Sequence, residues 1–218
     1  MKDKEYKETL SKFSHEVRNP VTLINSFLQL MVQEHPEIAT YEHYDKIQEN
    51  ITILRALLDE LTNYNHSTTL HTESINIYFY LQDYLETAHK LLDALDIKIY
   101  VKKLTAIPPV QIDPIKLNQI LNNLVLNARD AIVPDTGRVT FELGCDGYEV
   151  TLKVRDTGCG MDPKSIESMF QPFVTTKQDG TGLGLPICEE IMQAHGGSIS
   201  AVSVPEDGTE ITLHFPIS

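Results

Sequence analysis

The chain has 218 residues, 41% of them hydrophobic, and carries 31 acidic against 18 basic side chains for a formal net charge of −13. That length allows one large domain or two modest ones, and the apolar share is ordinary for a soluble globular protein. The acidic balance argues against nucleic acid and against direct contact with an anionic membrane, since both require clustered Lys and Arg, but it leaves room for a nucleotide held by local donors and a metal.

Cys145, Cys159 and Cys188 are scattered and odd in number, which reads as reduced thiols and a cytoplasmic setting. The histidines show no ligand spacing, and no apolar run approaches the ~20 residues of a membrane span. Met1 to Glu8 is charged at every position but Met1 and Tyr6, so no signal peptide is expected there.

Residues 1–66 contain no glycine. Leu10, Phe13, Val17, Val21, Ile24, Leu28 and Met31 recur in steps of three and four, the period of one apolar helix stripe. His35-Pro36 breaks the pattern, because the residue before proline disfavours helix. A second stripe follows in Tyr44, Ile47, Ile51, Leu54, Leu58 and Leu61. Two near-heptad helices with a short connection predict an antiparallel hairpin. A lone hairpin cannot enclose its stripe, so the expected assembly is a homodimer, with two hairpins forming a four-helix bundle. Pro20 falls inside the first helix, where it removes a ladder bond.

Residues 67–74 are polar and aperiodic, and are expected to be a linker. From Ile75 onward all the glycines appear and strands alternate with helices. The pattern predicts a strand at 75–77, a helix near 79–94 and a strand at 97–103. A helix is expected over 114–132, with Asp113 as N-cap and Pro114 in the first turn. Strands follow at 137–144 and 148–155, and Asp162-Pro163 opens a short helix. A loop spans 171–183, a helix 184–194, and a final hairpin, 197–204 and 209–215, turns at Asp207-Gly208. Residues 75–218 are therefore expected to be an α/β sandwich with a mixed sheet.

Four motifs carry chemistry. In Phe13-Ser14-His15-Glu16-Val17-Arg18-Asn19-Pro20, His15 lies off the apolar stripe and should face solvent. A neutral imidazole is a competent nucleophile toward phosphorus, and Glu16 is placed to accept the Nδ1 proton. Asn19 is one turn further along the same face. Asn123 and Asn127 are four apart and emerge from one helix face, offering neutral oxygens suited to Mg²⁺. In Asp156-Thr157-Gly158-Cys159-Gly160, a carboxylate at a strand end can accept an adenine amino group, and Gly158 and Gly160 let a base approach the backbone. Gly180, Thr181, Gly182, Leu183 and Gly184 lead into a helix, and their amides can cradle phosphates. This is neither a Walker A loop nor a Rossmann fingerprint, lacking the Lys-Ser/Thr ending of the one and the acidic residue of the other.

These motifs, in this order over roughly residues 8–216, resemble a bacterial two-component sensor histidine kinase core. The first part is similar to a HisKA-type dimerisation and phosphotransfer hairpin, and the second to a GHKL (Bergerat-type) ATP-binding domain. The resemblance implies ATP and Mg²⁺ as cofactors, with His15 as phosphoacceptor and Asn19 positioning a water for response-regulator dephosphorylation. It implies Asn127 as metal ligand with Asn123 assisting, and Asp156 as adenine acceptor. Phe170 to Lys177 matches the segment leading into the family's ATP lid, with Lys177 placed to reach a phosphate and Phe170 and Phe173 as packing residues. It also implies a response-regulator receiver domain as partner, docking around Pro20 to Leu30. One departure stands out: many relatives have lysine three residues after the second asparagine, where this chain has Asp130. The 14 residues before His15 leave no room for a sensor, so the expectation is the cytoplasmic piece of a longer sensor or a short kinase fed by a separate one. The alternatives are a pseudokinase or phosphotransfer module, and a GHKL serine kinase.

Overall fold

The computed structural model describes residues 2–92, 96–132, 137–177 and 180–217, with side chains from residue 9 onward. The chain divides after His66 into two compact units.

The first unit follows the apolar periodicity. Helix α1 (Lys2–Glu34) continues through Pro20 and stops immediately before His35-Pro36. Pro36 then opens a 3-10 turn (Pro36–Thr40), and α2 (Glu42–Asn65) returns alongside. The seam between the helices is a cluster of Val21, Ile51 and Leu58, with Val17 and Leu28 packed against it. Much of the rest of the stripes is uncovered: Phe13, Ile24, Met31, Ile47 and Leu54 stand exposed, as do Leu23, Phe27 and Leu30, while Leu10, Tyr44 and Leu61 are half-buried.

In the second unit, β1 (Glu73–Ile75) precedes α3 (Ile77–Leu92), β2 (Ile97–Lys103), β3 (Val110–Ile112) and α4 (Pro114–Ala131). Next come β4 (Gly137–Cys145), β5 (Glu149–Asp156), α5 (Pro163–Ser168), α6 (Gly184–Ala194), β6 (Ser198–Val204) and β7 (Gly208–Pro216). The five-stranded sheet has the order β2-β4-β5-β7-β6. The β2–β4 pair is parallel and the others are antiparallel, so the sheet is mixed as expected. Register aligns Phe141 with Val154 and Val154 with Ile211, and likewise Leu143, Leu152 and Leu213. Period-2 alternation puts all of these on one face, where they are buried. Helix α3 lays Tyr84 edge-on to Phe141, with ring centroids 6.4 Å apart.

The structure shifts several sequence expectations. The first strand is 73–75 rather than 75–77, and α3 begins at Ile77 rather than near 79. Asn76 explains both: its Oδ1 accepts from the Tyr78 and Phe79 amides and so caps the helix earlier. The predicted helix end at 93–94 lies outside the described residues, as do positions 178–179 of the 171–183 loop. Strand β3, which pairs antiparallel with β1, was not foreseen. At three residues between Pro109 and Asp113 it is too short to show a period.

The segment 67–74 is not a free connector. Ser67 is fully buried and hydrogen-bonds Glu190 of α6, and the His71 amide donates to Asp113 Oδ2 at 2.7 Å. Asp113 is the N-cap of α4, its Oδ1 accepting from the Ile115 and Lys116 amides. Burial raises its pKa, but these backbone donors and nearby His195 outweigh burial and leave it below the usual carboxylate value.

Candidate nucleotide site and phosphoacceptor

The second unit gathers its motif residues around the C-terminal half of α4. Asn123 Nδ2 donates to Gly184 O at 3.1 Å and reaches Cys188 Sγ at 3.7 Å, so it ties the start of α6 to α4. Cys188 is buried inside that junction, and burial pushes its thiol up to about 12. Asn127 accepts from Lys177 Nζ at 2.8 Å. The two asparagines thus share a helix face but serve different neighbours. The Cys159 amide donates to Ala131 O at 2.9 Å, joining the 156–160 turn to the end of α4.

Asp156 ends β5 and is 8% exposed. Its Oδ1 accepts from the Gly158 amide at 2.8 Å and the Thr209 amide at 3.3 Å. Burial lifts its pKa above the usual carboxylate value despite these donors. Glycine is required on two sides of it. A Cβ on Gly158 would lie 2.7 Å from the Ala131 backbone, and one on Gly160, at φ +65°, 2.0 Å from Val204 O. Thr209 was not singled out from the sequence, because Asp207-Gly208 read only as a hairpin turn.

The loop entering α6 folds back on itself. The Phe173 amide donates to Gly182 O at 3.0 Å, and the Leu183 amide to Thr181 Oγ1 at 3.2 Å. Gly182 has φ +67°, and a Cβ there would meet the Val174 amide nitrogen at 2.6 Å. A Cβ on Gly180 would meet Thr175 Oγ1 at 2.5 Å. Leu183 is buried and anchors the loop where Gly184 opens α6. Phe170 is half-buried, as expected of a packing residue, but Phe173 is not: it has φ +65° and is exposed.

Asp130 takes on a role the sequence did not suggest. Its Oδ2 accepts from Lys177 Nζ at 2.7 Å and its Oδ1 from Arg129 at 2.9 Å. Burial raises its pKa, yet the two cations outweigh burial and hold the carboxyl below its usual value. Basic groups therefore do stand at this spot, Lys177 from the loop and Arg129 from α4 itself.

Among the described residues no group of three or more His, Cys, Asp or Glu could hold a metal. The Asn127 carboxamide oxygen, with Asp130 one turn on, fits a hard cation that takes its other ligands from phosphates and water. No helix among the described residues is long and apolar enough to cross a membrane.

The first unit presents its own group. His15, Glu16 and Asn19 are all exposed on α1, whereas Ser14 beside them is buried.

Residues 112–218 match the model of the histidine kinase-, DNA gyrase B- and HSP90-like ATPase family. The chain is 28% identical over 206 residues to sporulation kinase D of Bacillus subtilis, covering 94% of this chain and 40% of that protein. It is 28% identical over 206 residues to the sensor histidine kinase ZraS of Escherichia coli O157:H7, covering 94% and 45%. The full-length ShkA structure in complex with AMPPNP superposes with a TM-score of 0.81 at 25% identity, over 97% of this chain and 46% of that one. The chain thus spans less than half the length of these relatives. With a helical hairpin carrying the histidine motif and an α/β unit carrying the glycine motifs, residues 112–218 belong to the GHKL ATP-binding family, and the chain as a whole is similar to a two-component histidine kinase catalytic region.

Proposed function

We propose that the chain is an ATP-dependent, autophosphorylating histidine protein kinase that passes its phosphoryl group to a response-regulator aspartate. The observation that carries this reading is the exposed His15 on α1, in the same chain as a nucleotide-type α/β unit. Residues 1–66 act as the dimerisation and phosphotransfer domain and residues 75–218 as the ATP-binding domain. The setting is cytoplasmic.

The imidazole Nε2 of His15 attacks the γ-phosphorus. An N–P bond forms, the bond to the ADP oxygen breaks, and Glu16 takes the Nδ1 proton. Asp156 accepts the adenine amino group, with Gly158 and Gly160 admitting the base. Amides of the Gly180–Gly184 loop receive the phosphates, and Lys177 moves from Asn127 onto a phosphate oxygen. Asn127 would hold Mg²⁺, with Asn123 assisting by fixing α6 against α4. When bound, the metal neutralises charge on the transferring phosphates. The exposed apolar stripe supports a homodimer, since a second copy would bury Phe13, Ile24 and Met31. Asn19, exposed one turn from His15, suits positioning a water for regulator dephosphorylation. The receiver domain docks along α1 below His15, between Pro20 and Leu30. Because Ser67 and His71 are bonded into the second unit, the hinge lies at His66–Ser67.

The test is incubation of the wild type, His15→Ala and Asn127→Ala with radiolabelled ATP, followed by addition of receiver domains. Acid-labile, base-stable label that disappears in both variants and transfers to a receiver supports the reading. Acid-stable label indicates a serine kinase, and nucleotide binding without label indicates a binding module.

A further inference from the structure

The turn of α1 that carries His15 is gripped by α2 through polar bonds. Ser14, immediately before His15, is 1% exposed. Its hydroxyl donates to Leu58 O at 3.3 Å and lies 3.2 Å from Thr62 Oγ1. Arg18 sits one turn further along the same face. Its Nη2 donates to Leu58 O at 3.1 Å and Thr62 Oγ1 at 2.9 Å, and pairs with Asp59 Oδ1 at 2.9 Å. Thr62 Oγ1 also donates to Leu58 O at 2.8 Å. Three side chains from two helices therefore converge on one backbone carbonyl.

Immediately beyond this turn the seam is apolar, made by Val17, Val21, Leu28 and Ile51. Apolar packing tolerates small sliding and rotation, whereas hydrogen bonds lose strength steeply with a few tenths of an ångström or with bad angles. The polar grip thus fixes the rotation of this turn more tightly than further packing would. It also acts where α1 is weakest: Pro20 has no N–H, so the Glu16 carbonyl lacks its ladder bond in this same turn. On a helix surface Arg18 is a direct neighbour of His15 at i+3, and Ser14 fixes the residue before it.

We propose that Ser14, Arg18 and Thr62 are positioning residues for His15. They lock the α1 turn to α2 so that the imidazole is presented in one orientation to the phosphoryl donor. They touch neither nucleotide nor phosphorus and act only through His15. The inference rests on His15 being the phosphoacceptor.

Thr62→Val keeps the shape of the side chain and removes its hydroxyl, and Thr62→Ser restores the hydroxyl. With the full chain, Thr62→Val is expected to slow phosphohistidine formation at saturating ATP by tenfold or more. The KM for ATP should stay within twofold, and melting temperature and dimerisation should be unchanged. Thr62→Ser should return the rate to within twofold of wild type. Rotamer averaging of the His15 ring, read from three-bond couplings in histidine-labelled protein, should increase in Thr62→Val and revert in Thr62→Ser. A wild-type rate and an unchanged ring in Thr62→Val overturn the proposal. So does an equal loss in both variants, or a rate loss that tracks melting temperature, because a purely structural contact behaves that way. Absence of any label on wild type sinks the phosphoacceptor reading and with it presentation to a phosphoryl donor, and an intact ring response would then show only that Thr62 orients the imidazole.

Discussion

The two units use apolar surface in opposite ways. The α/β unit closes its core within one chain: Phe141, Leu143, Leu152, Leu213 and Phe215 are sealed beneath helices whose Leu81, Leu117, Leu121 and Ile187 are equally buried. The hairpin buries Val21, Ile51 and Leu58, yet leaves Phe13, Ile24, Phe27, Leu30 and Met31 in solvent. Each large apolar side chain moved from water into a core contributes about 1.5–3 kcal/mol, so the uncovered face is a large reserve for association. One unit holds its stability internally, and the other leaves much of its apolar surface exposed.

The most direct way to break this contrast is to damage the closed core. Phe141→Ala should cost about 3–5 kcal/mol, because a fully buried ring leaves a cavity between sheet and α3. That is a large share of a typical domain's stability of about 5–15 kcal/mol. Urea unfolding followed at two probes, one per unit, should show the α/β transition move to lower urea while the hairpin transition stays. A joint shift would show that the two units melt as one.

The reciprocal change targets the open face. Ile24→Lys alters a side chain that is 51% exposed in one chain, so a monomeric hairpin should hardly notice it. If a second copy covers that face, a buried lysine should weaken the dimer at least tenfold, about 1.4 kcal/mol, in light scattering across a dilution series. An unchanged dimer would place the interface elsewhere.

The same contrast explains what could be read in the sequence. The two helices of the hairpin and the break between them were legible, because the period of Leu10 to Met31 and the break at His35-Pro36 are local signals, although the stripe starts eight residues after α1 does. Helix α4 was legible for the same reason, through Asp113-Pro114. Strand β3 was not, since its three residues gain order only by pairing with β1. Nor was the packing of 67–74, whose polar residues find partners, Glu190 and Asp113, far away in sequence. In the candidate site, glycine positions were foreseeable from motif spacing, but the Lys177–Asp130 contact joins residues 47 apart. The buried polar grip of Ser14 and Arg18 on α2 was likewise invisible, because it breaks the apolar stripe rather than continuing it.

Asp113 sharpens the comparison from inside the closed unit, since one carboxylate caps α4 and fastens residue 71. Asp113→Ala should cost about 2 kcal/mol, the upper range for an N-cap. Its folded-state pKa is depressed, so its stabilisation is present above the unfolded value and fades as pH falls through the folded one. The wild type should therefore lose stability on acidification in a range where Asp113→Ala does not, as denaturation midpoints against pH will show.

Asp156 runs the other way. Burial raises its pKa, so the ionised form, which we propose accepts an adenine amino group, is lost at a higher pH than for an ordinary carboxylate. ADP affinity by calorimetry should fall as pH drops through that value, by up to tenfold per unit of pH below it, about 1.4 kcal/mol. Asp156→Asn should weaken binding and flatten this dependence. A pH profile identical in the two proteins would remove Asp156 from adenine recognition.

The smallest effect belongs to the surface of the closed unit. Asp130 holds Lys177 over Asn127 through a partly exposed ion pair, and such pairs contribute about 0.2–1 kcal/mol. Asp130→Asn should therefore leave the melting temperature nearly unchanged. Its consequence is local: Lys177 loses its strongest tether, and the peptide bond after it becomes a better substrate for trypsin. Cleavage there should quicken a few-fold at neutral pH in Asp130→Asn. In the wild type the tether should survive acidification to below the usual carboxylate range, because both cations hold Asp130 ionised. Equal cleavage rates in the two proteins would mean that the loop is held by its own backbone bonds, from Phe173 to Gly182, and that Asp130 adds nothing.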